Sequence, residues 1–424
     1  MSHSSEQPVR WYHGVTPYQW LVLVLASAGW VFDVFEGQIY AITRVEMLTD
    51  ILGDQASKEN MDFYADLFLA VFQLGGTFGG ILFGSLADRY GRRSMLIATI
   101  LTYSIFSGLT YFADSLFMVG ALRFLVAVGV GGEWAVAAAL VAEEFPARAR
   151  AQAGGIFHAT SILGTWMAGL AGLAVGDQWR YAYLLGIAPA LLVVAIRFQL
   201  KETQPSSPTP TGSATRGNLI ELFKHPLWRR RAIFGMLLAT TGLATFWAVT
   251  IAGLDLTRKL LVDQGATAAD AQSAAKFAYG IVETAGGGLG LLAFGPLAAW
   301  WGRRQTFWAF QLGGVIVVPI VCFLPTTYEQ LLAALPVYGF FTLGMHAGFA
   351  IYFPELFPAS LRATGAGFCF NGGRMVTSFV LLFSGWLKAT VGLHLGLSLL
   401  ALLFVPGMLI VLLLPETKDQ PLPE

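Results

Sequence analysis

The chain carries little charge for its length. Only 12% of its 424 residues are Asp, Glu, Lys or Arg, whereas roughly a quarter is usual in a soluble domain. The hydrophobic share is 55% and the mean hydropathy is +0.62, which excludes an ordinary soluble enzyme. The formal net charge is +0, so the sequence predicts no attraction to nucleic acid, and the position of each basic residue matters more than the total.

Cysteine is almost absent as well. Cys322 and Cys369 both fall in apolar runs and lack the spacing of a metal site or a disulfide framework. We interpret both as packing residues. The chain also has no phosphate-binding loop of the GxxxxGK[ST] kind, so neither ATP coupling nor catalysis is supported. We therefore expect no enzyme activity, no cofactor and no metal.

Long apolar runs dominate what is present. A helix needs about 20 apolar residues to span a bilayer, and the chain divides into twelve such runs. The first six lie near residues 20–42, 63–84, 94–112, 116–140, 152–174 and 180–199, and the second six near 232–254, 273–295, 306–323, 329–353, 363–387 and 392–414. The sequence predicts an all-α integral membrane protein with twelve transmembrane helices in two six-helix bundles.

The polar segments predict the domain boundaries and the orientation. We expect an amino-terminal bundle over residues 1–200, a flexible linker rich in Pro, Ser and Thr over 201–231, and a carboxy-terminal bundle with a short tail over 232–424. Residues 1–19 hold no apolar stretch typical of a cleaved signal peptide. Lys and Arg are concentrated in the loops on the side of the amino terminus, which predicts a multi-pass protein of the cell membrane with both termini in the cytoplasm.

The two series of helices are internal duplicates. The segment Gly75–Arg93 (GGTFGGILFGSLADRYGRR) aligns with Gly286–Arg304 (GGGLGLLAFGPLAAWWGRR), and Glu144–Gly155 (EFPARARAQAGG) aligns with Leu356–Gly367 (LFPASLRATGAG). Six helices in each copy make the repeats parallel in topology, which is one architecture of secondary transporters. The glycines at helical spacing in the first pair predict close packing of membrane helices.

These motifs resemble a known family. Gly84–Arg93 (GSLADRYGRR), in the loop after the second span, resembles the signature loop of the major facilitator superfamily. Arg123–Trp134 (RFLVAVGVGGEW), Ala142–Arg150 (AEEFPARAR), Arg362–Arg374 (RATGAGFCFNGGR) and Pro415–Lys418 (PETK) resemble its metabolite:proton symporter and sugar or organic-acid porter branches. The motifs extend over almost the whole chain, so the resemblance implies the fold of that superfamily and a single-chain monomer.

The resemblance implies a cytoplasmic gate at the signature loop. Asp88, together with Arg89, Arg92 and Arg93, would latch the two halves, and a carboxylate near a helix start can accept backbone N–H groups and interact with the positive helix end. The alternative is that Arg92 and Arg93 only anchor the loop in the cytoplasm. The second copy has Ala299 where the first has Asp88, so the role of Asp88 is not extended to it.

Ionisable residues inside spans indicate function, because charge is costly in the bilayer. Away from the span ends they are Asp33, Glu36, Arg123, Glu133, Glu283 and Arg374. In the resembling porters an acid of span 1 pairs with the arginine that begins the span 4 motif. This implies Asp33 as the proton carrier and Arg123 as its partner, since a nearby guanidinium changes the proton affinity of a buried carboxylate. The alternative is a permanent ion pair between spans 1 and 4.

Glu36 and Tyr40 share the helical face of Asp33, at spacings i+3 and i+7. Glu36 is either a second proton site or a substrate contact, and Tyr40 is a candidate wall of the cavity. His158 is a further candidate because imidazole titrates near neutral pH, although a packing role fits equally. Glu133 is interpreted as structural, with contact to His158 left open.

In the second half Arg374 is the main candidate for substrate binding. A guanidinium near the bilayer midplane is a natural bidentate receptor for a carboxylate, and Asn371 lies one turn away on nearly the same face. The alternative is that Arg374 pairs with Glu283 and supports the second half, although Glu283 is also a candidate substrate contact. Trp247 is a candidate for an apolar cavity wall.

The leading hypothesis is a proton-coupled symporter that moves a small organic solute, favoured to be a carboxylate, by alternating access. The expected partners are the substrate, protons and the lipid bilayer. Within transport, the alternatives are a sugar or polyol porter and a proton-driven exporter. From another class, a non-transporting sensor with the same fold would bind ligand without flux, and a channel would give conductance that does not saturate.

Overall fold

The computed structural model describes residues 10–176, 178–202 and 216–424. Residues 1–9 and 203–215, which hold part of the predicted amino-terminal tail and the Pro-, Ser- and Thr-rich part of the predicted linker, lie outside the described residues. Within the described ranges the chain is helical and contains no strand. The predicted all-α class is therefore confirmed.

The helices follow one another with short connections. In the first half they are α1 Pro17–Leu52, α2 Lys58–Tyr90, α3 Arg92–Thr110, α4 Leu116–Glu144, α5 Ala147–Ala159, α6 Ser161–Val175, α7 Trp179–Leu185 and α8 Ala190–Gln199. In the second half they are α9 Leu219–Lys224, α10 Pro226–Ala248, α11 Gly253–Asp263, α12 Ala268–Phe277, α13 Thr284–Trp301, α14 Arg303–Phe323, α15 Tyr328–Gly344, α16 Ala347–Glu355, α17 Arg362–Val391, α18 Leu393–Leu400 and α19 Phe404–Leu413.

Several spanning helices begin at side-chain caps. Thr16 accepts the backbone N–H of Gln19 at the start of α1, and the Gln19 side chain accepts the N–H of Thr16 at 2.9 Å. Ser57 and Ser115 cap α2 and α4 in the same way. These caps satisfy N–H groups that have no partner inside the helix, so helix α1 begins three residues before the predicted apolar run.

Ten stretches of the described chain are long and apolar enough to cross a membrane. The sequence predicted twelve spans. The other two predicted spans, near residues 94–112 and 152–174, are occupied by α3 and by α5 with α6. Helix α3 is less apolar because it begins with two arginines, whereas α5 and α6, with 13 and 15 residues, are each too short to span a bilayer alone.

The helices pack as two groups that meet along one interface. In the first half α2 and α3 pack on α4, and α1 packs on α6; in the second half α10 packs on α17, and α13 packs on α15. Between the groups, α17 lies against α2 and α4, and α13 and α16 lie against α5. Helix α10 begins at Pro226, earlier than the predicted residue 232, because proline is well suited to the first helical turn.

Glycines allow the helices to approach closely, as the sequence predicted. A Cβ atom on Gly79 would lie 1.9 Å from the carbonyl oxygen of Val128 in α4, and one on Gly286 would lie 2.1 Å from that of Pro336 in α15. Other glycines of α2 face the second half, where Gly84 approaches the carbonyl of Ala363 to 2.6 Å by the same measure. The glycine series therefore sets both the packing inside each half and the packing between the halves.

The duplication is repeated in detail at one end of the bundle. Gly91 and Gly302 turn the chain between consecutive spans with φ of 99° and 113°, a region that favours glycine. The next helix then receives a carboxylate cap from further along the chain. Glu202 accepts two backbone N–H groups of α3, each at 3.2 Å, and Glu416 accepts two of α14 at 2.9 and 3.1 Å. We call this end the motif end.

Candidate functional site

Asp88, at the end of α2, caps the start of α17 in the other half. Its Oδ2 accepts the backbone N–H of Thr364 at 2.8 Å and also the Thr364 hydroxyl, while its Oδ1 accepts the N–H of Ala363 at 3.2 Å. Helix α17 has no side-chain cap from its own N-cap residue, Leu361. A buried carboxylate of the first half therefore satisfies the positive end of a second-half helix.

Two clusters of charged side chains accompany this cap. In the first, which we call the Glu143 cluster, Arg92 donates from Nε and Nη2 to Glu143 at 3.2 and 2.8 Å and from Nη1 to Asp88 at 2.6 Å. Arg362 of the second half donates to the same Glu143 carboxylate at 2.8 Å. Such bidentate and shared pairs are geometrically specific, so the cluster joins α2, α3, α4 and α17.

The second, the Glu355 cluster, is the duplicate of the first. Arg303 donates from Nε and Nη2 to Glu355 at 3.0 and 2.8 Å, and Arg150 of the first half lies 3.8 Å from the same carboxylate. The Arg303 Nη1 donates to the carbonyl of Ala298 at 3.1 Å, because Ala299 supplies no carboxylate. Each cluster thus holds an Arg and a Glu from one half and an Arg from the other.

The four residues predicted for the cytoplasmic gate divide into two pairs. Asp88 and Arg92 lie in the interface between the halves. Arg89 instead donates to the carbonyl of Arg216 at 3.0 Å, and Arg93 donates to the carbonyl of Arg197. The last two bonds tie the loop to segments beside it, as the anchoring alternative expects, and the gating role stays a prediction.

At the centre of the bundle, Asp33 of α1 interacts electrostatically with Arg374 of α17 and with Glu133 of α4. Both carboxylates are buried and approach each other, and among the described residues no hydrogen bond of regular geometry reaches their oxygens. Arg374 is half-buried and its Nη1 also lacks a partner. One guanidinium of the second half therefore faces Asp33 of the first half, which Glu133 also approaches, and among the described residues no direct ion pair joins Arg374 to Asp33.

Glycines make the space for these groups. A Cβ atom on Gly29 would lie 1.7 Å from the Glu133 Oε1, and one on Gly76 would lie 2.6 Å from the Arg374 Nη1. Asn371 fills the space beside Gly80 and donates from Nδ2 to the carbonyl of Gly367 at 3.1 Å, and its buried Oδ1 has no partner among the described residues. Of the predicted substrate residues, the structure therefore brings Arg374 and Asn371 together on one face.

Aromatic rings form the wall next to Arg374. Phe370 stacks on Trp134 of the first half with ring centroids 4.0 Å apart and planes at 20°, and the Arg374 guanidinium lies 5.4 Å from the Phe370 centroid. His158 follows on the other side of Trp134, whose Nε1 donates to its Nδ1 at 3.4 Å, and its ring lies 5.2 Å from that of Trp30. His158 thus contacts two tryptophans rather than Glu133.

The expected pairing of Asp33 with Arg123 is wrong. Arg123 lies between the rings of Tyr40 and Phe72, at 4.4 and 4.1 Å from their centroids, and donates from Nη1 to the carbonyl of Glu36 at 3.2 Å. The Glu36 carboxylate accepts the Ser107 hydroxyl at 2.9 Å. Arg123, Glu36 and Tyr40 thus form a buried group inside the first half, because Glu36 lies one turn beyond Asp33 and meets Arg123 first.

Two further candidates lie apart from the centre. Glu283 is buried inside the second half next to Gly253, and within the described chain neither of its carboxylate oxygens has a partner, so the structure does not pair Glu283 with Arg374. Trp247 lies at the end of α10 and contacts Phe246 edge to face at 5.3 Å. Neither residue shares the site of Arg374.

Sequence reasoning missed several members of these sites. Tyr103 of α3 lies beside Glu133 and Asp33, and an isolated tyrosine in an apolar run carries no signal. Glu143 and Glu355 were missed because they lie at helix ends, where charge is ordinary. The internal duplication was the signal that could have found them, since both precede equivalent arginines, Arg150 and Arg362, at equivalent distances.

Removing the charge of Asp88 should open the motif end. We expect Asp88→Asn to weaken the cap on α17 by about 1–2 kcal/mol, a factor of about 5–30 in the closed-to-open ratio. The measurement is the rate of maleimide labelling of a cysteine at Ala135, a buried position facing α17, in a chain whose native cysteines are replaced by alanine. Asp114→Asn, on an exposed acid at the other end, is the control; equal rates in both variants would contradict the prediction.

Comparisons with known proteins agree with this architecture. The family model described as the Major Facilitator Superfamily matches residues 47–282. A probable 4-methylmuconolactone transporter of Cupriavidus pinatubonensis is 30% identical over 417 residues, which cover 96% of this chain and 93% of the relative. A cis,cis-muconate transport protein of Acinetobacter baylyi is 27% identical, with 83% and 86% covered.

Among solved structures, the proton:xylose symporter XylE with a bound bromodeoxyglucose has the same fold, with a TM-score of 0.74, 16% identity, and coverage of 96% of this chain and 98% of that one. The chain therefore belongs to the major facilitator superfamily and is a multi-pass membrane transporter of its metabolite porter branch. Its family and relatives are transporters rather than enzymes.

Proposed function

We propose that this protein is a proton-coupled symporter of small organic carboxylates. The observation that carries the proposal is the placement of Arg374 opposite Asp33, which Glu133 also approaches, with no direct ion pair between Arg374 and Asp33 among the described residues. A guanidinium with a free donor is suited to bind a carboxylate, since its fork matches the two oxygens.

Electrostatics links that binding to protons. While both central acids are ionised, Arg374 is attracted to Asp33 and an incoming anion is repelled by two negative charges. When Asp33 binds a proton, the repulsion falls and Arg374 becomes available to the substrate. Proton and carboxylate therefore favour each other's binding, which is the reciprocal coupling that symport requires.

The aromatic rings next to Arg374 and the described substrates of the relatives both favour one kind of carboxylate. Phe370 and Trp134 present stacked faces beside Arg374, and flat, conjugated groups pack well on such rings. The relatives named above are described as transporters of a muconolactone and of muconate, and muconate is a planar dicarboxylate. We infer a planar, unsaturated carboxylate as the substrate of this chain.

The proposed orientation places the motif end in the cytoplasm of the inner membrane, with both termini inside. It rests on the Lys and Arg residues of the loops at that end. Alternating access would then open the motif end by breaking the Asp88 cap and the contacts of Arg362 and Arg150 with the opposite half, while the far end closes.

Uptake into proteoliposomes tests the function. With an imposed pH gradient that is acidic outside, we expect cis,cis-muconate to accumulate above its equilibrium level, and a protonophore to abolish the accumulation. Xylose serves as the neutral comparison. Muconate uptake that ignores the pH gradient would contradict proton coupling, accumulation of xylose alone would favour a sugar porter, and binding without flux would favour a sensor.

A further inference from the structure

Two helices of the second half are interrupted at the same place. Helix α10 ends at Ala248 and is followed by a 3₁₀ turn, Thr250–Ala252, before α11 begins. Opposite this break, the span that contains α12 and α13 passes through a π-helical segment, Ala278–Glu283. Such segments are rare and occur mostly at functional sites. The hydroxyl of Tyr338 donates to the carbonyl of Val249 at 2.6 Å and so holds the break in place.

Glu283 ends the π-helical segment and lies against the break. Its side chain is buried, and neither carboxylate oxygen has a hydrogen-bond partner among the described residues. A Cβ atom on Gly253, the first residue of α11, would lie 1.7 Å from its Oε2. An ionised carboxylate without a partner in an apolar interior costs several kcal/mol, so this conformation accommodates Glu283 in its neutral, protonated form.

The ionisable groups around Glu283 offer it no counter-charge. Tyr279 of the same segment and Tyr338 of α15 are its titratable neighbours, and Cys322 of α14 interacts with Tyr338. The charged side chains of α11 pair with one another on its exposed face. They are Asp255 with Arg258 at 3.2 Å and Lys259 with Asp263 at 2.8 Å. Release of the proton would therefore leave a charge that only water could stabilise.

The same π-helical segment contacts the first half. Trp166 of α6 donates from Nε1 to the carbonyl of Gly280 at 3.1 Å. By residue count Trp166 lies about 28 Å from the start of α5 at the motif end, whereas Arg374 lies about 18 Å from the start of α17. The bond between Trp166 and Gly280 therefore joins the halves beyond the central site as seen from the motif end, and we call this the far end. Gly280 lies three residues before Glu283.

We propose that Glu283 is a proton-binding site that controls this contact between the halves. In the protonated form the π-helical segment packs on Gly253 and presents the Gly280 carbonyl to Trp166. When the proton leaves to water, the carboxylate must be hydrated, so α11 and the π-helical segment separate at the break and the bond to Trp166 is lost. The far end then opens.

The inference deepens the proposed function, on which it rests for the physiological use of the proton. It adds a proton site in the second half that is separate from Asp33. The equivalent position of the first half is Phe72, by the offset that aligns Gly75 with Gly286, so the first half has an apolar side chain where the second has this acid.

Hydrogen exchange at the π-helical segment tests the proposal without transport. In lipid nanodiscs, and after correction for the intrinsic effect of pH, exchange of peptides covering residues 273–284 should accelerate by about tenfold per unit of rising pH, as one released proton requires. Glu283→Gln should show slow exchange at every pH. Glu329→Gln, on an exposed acid of α15, should keep the wild-type response.

Substrate exchange in proteoliposomes supplies the second test. Glu283→Gln keeps the far end closed and should slow the exchange of labelled substrate by about tenfold or more, and adding Trp166→Phe should restore much of the rate because it removes the bond to Gly280.

A pH response of hydrogen exchange that Glu283→Gln retains, or the absence of any such response in the wild type, would overturn the inference. Lack of rescue by Trp166→Phe would overturn the route through Gly280. If the wild type shows the pH response of hydrogen exchange but no proton-driven uptake, the proposed function is contradicted and the inference about Glu283 is not.

Discussion

Replacing Arg374 by Gln is expected to abolish carboxylate uptake. The change removes the guanidinium that faces Asp33 and that would bind the substrate carboxylate, and each of the two charge-assisted hydrogen bonds of such a fork contributes about 1.5–3 kcal/mol. Initial uptake of a carboxylate substrate should fall by at least about a hundredfold, since each 1.4 kcal/mol is about a factor of ten. The measurement is uptake into proteoliposomes at saturating pH gradient, with protein insertion quantified for each variant.

Two controls separate binding from folding. Arg374→Lys keeps the charge but loses the bidentate fork, so uptake should remain low while thermal stability stays near that of wild type. Arg304→Gln removes an arginine at the motif end of the same half that lies outside the central site and should leave uptake close to normal. Normal carboxylate uptake by Arg374→Lys would show that Arg374 does not clamp the substrate.

Replacing Asp33 by Asn is expected to separate transport from its driving force. Asparagine resembles the protonated carboxylic acid in shape and charge, so the site remains competent to bind substrate while it can no longer bind or release a proton. Accumulation against a gradient should disappear, whereas exchange of internal for external substrate should stay within a few-fold of wild type. The two assays, run on the same proteoliposomes, measure this split directly.

Asp66→Asn is the matched control, because Asp66 is an exposed acid on α2. It should accumulate substrate as the wild type does. Full accumulation by Asp33→Asn would remove Asp33 from the coupling mechanism and leave Glu133, which shares the central site, as the acid to test next.

The fold was predictable because its main signal, the length of the apolar runs, follows from the thickness of the bilayer. A run of about 20 apolar residues has few options other than a membrane helix, and the aligned repeats then fix two related halves. Helix ends were less predictable. Helix α1 continues to Leu52 rather than to residue 42, since its last ten residues extend past the apolar run and are polar enough that hydropathy excluded them.

The partner of Asp33 was less predictable still. Asp33 lies near the middle of α1, Pro17–Leu52, and Arg123 instead meets the backbone at Glu36, one turn further along. Depth along a helix can be counted from a sequence, but the direction in which a side chain faces a neighbouring helix depends on packing. The contact between Arg374 and the first-half acids depends on that packing between halves, which no local pattern encodes.

In each charged cluster, two residues belong to one half and one residue to the other, and this determines which ion pairs break when the halves separate at the motif end. Arg92 with Glu143 and Arg303 with Glu355 are pairs within a half, so parting the halves removes only Arg362 from one and Arg150 from the other. Neither glutamate is left as a bare charge, and the energetic barrier to parting stays low. The contact between α5 and α16 is the weaker of the two contacts between the halves. Arg150 lies 3.8 Å from Glu355, and Ala299 supplies no carboxylate equivalent to Asp88. We therefore expect the two halves to separate first between α5 and α16, and last at the start of α17, which Asp88 caps.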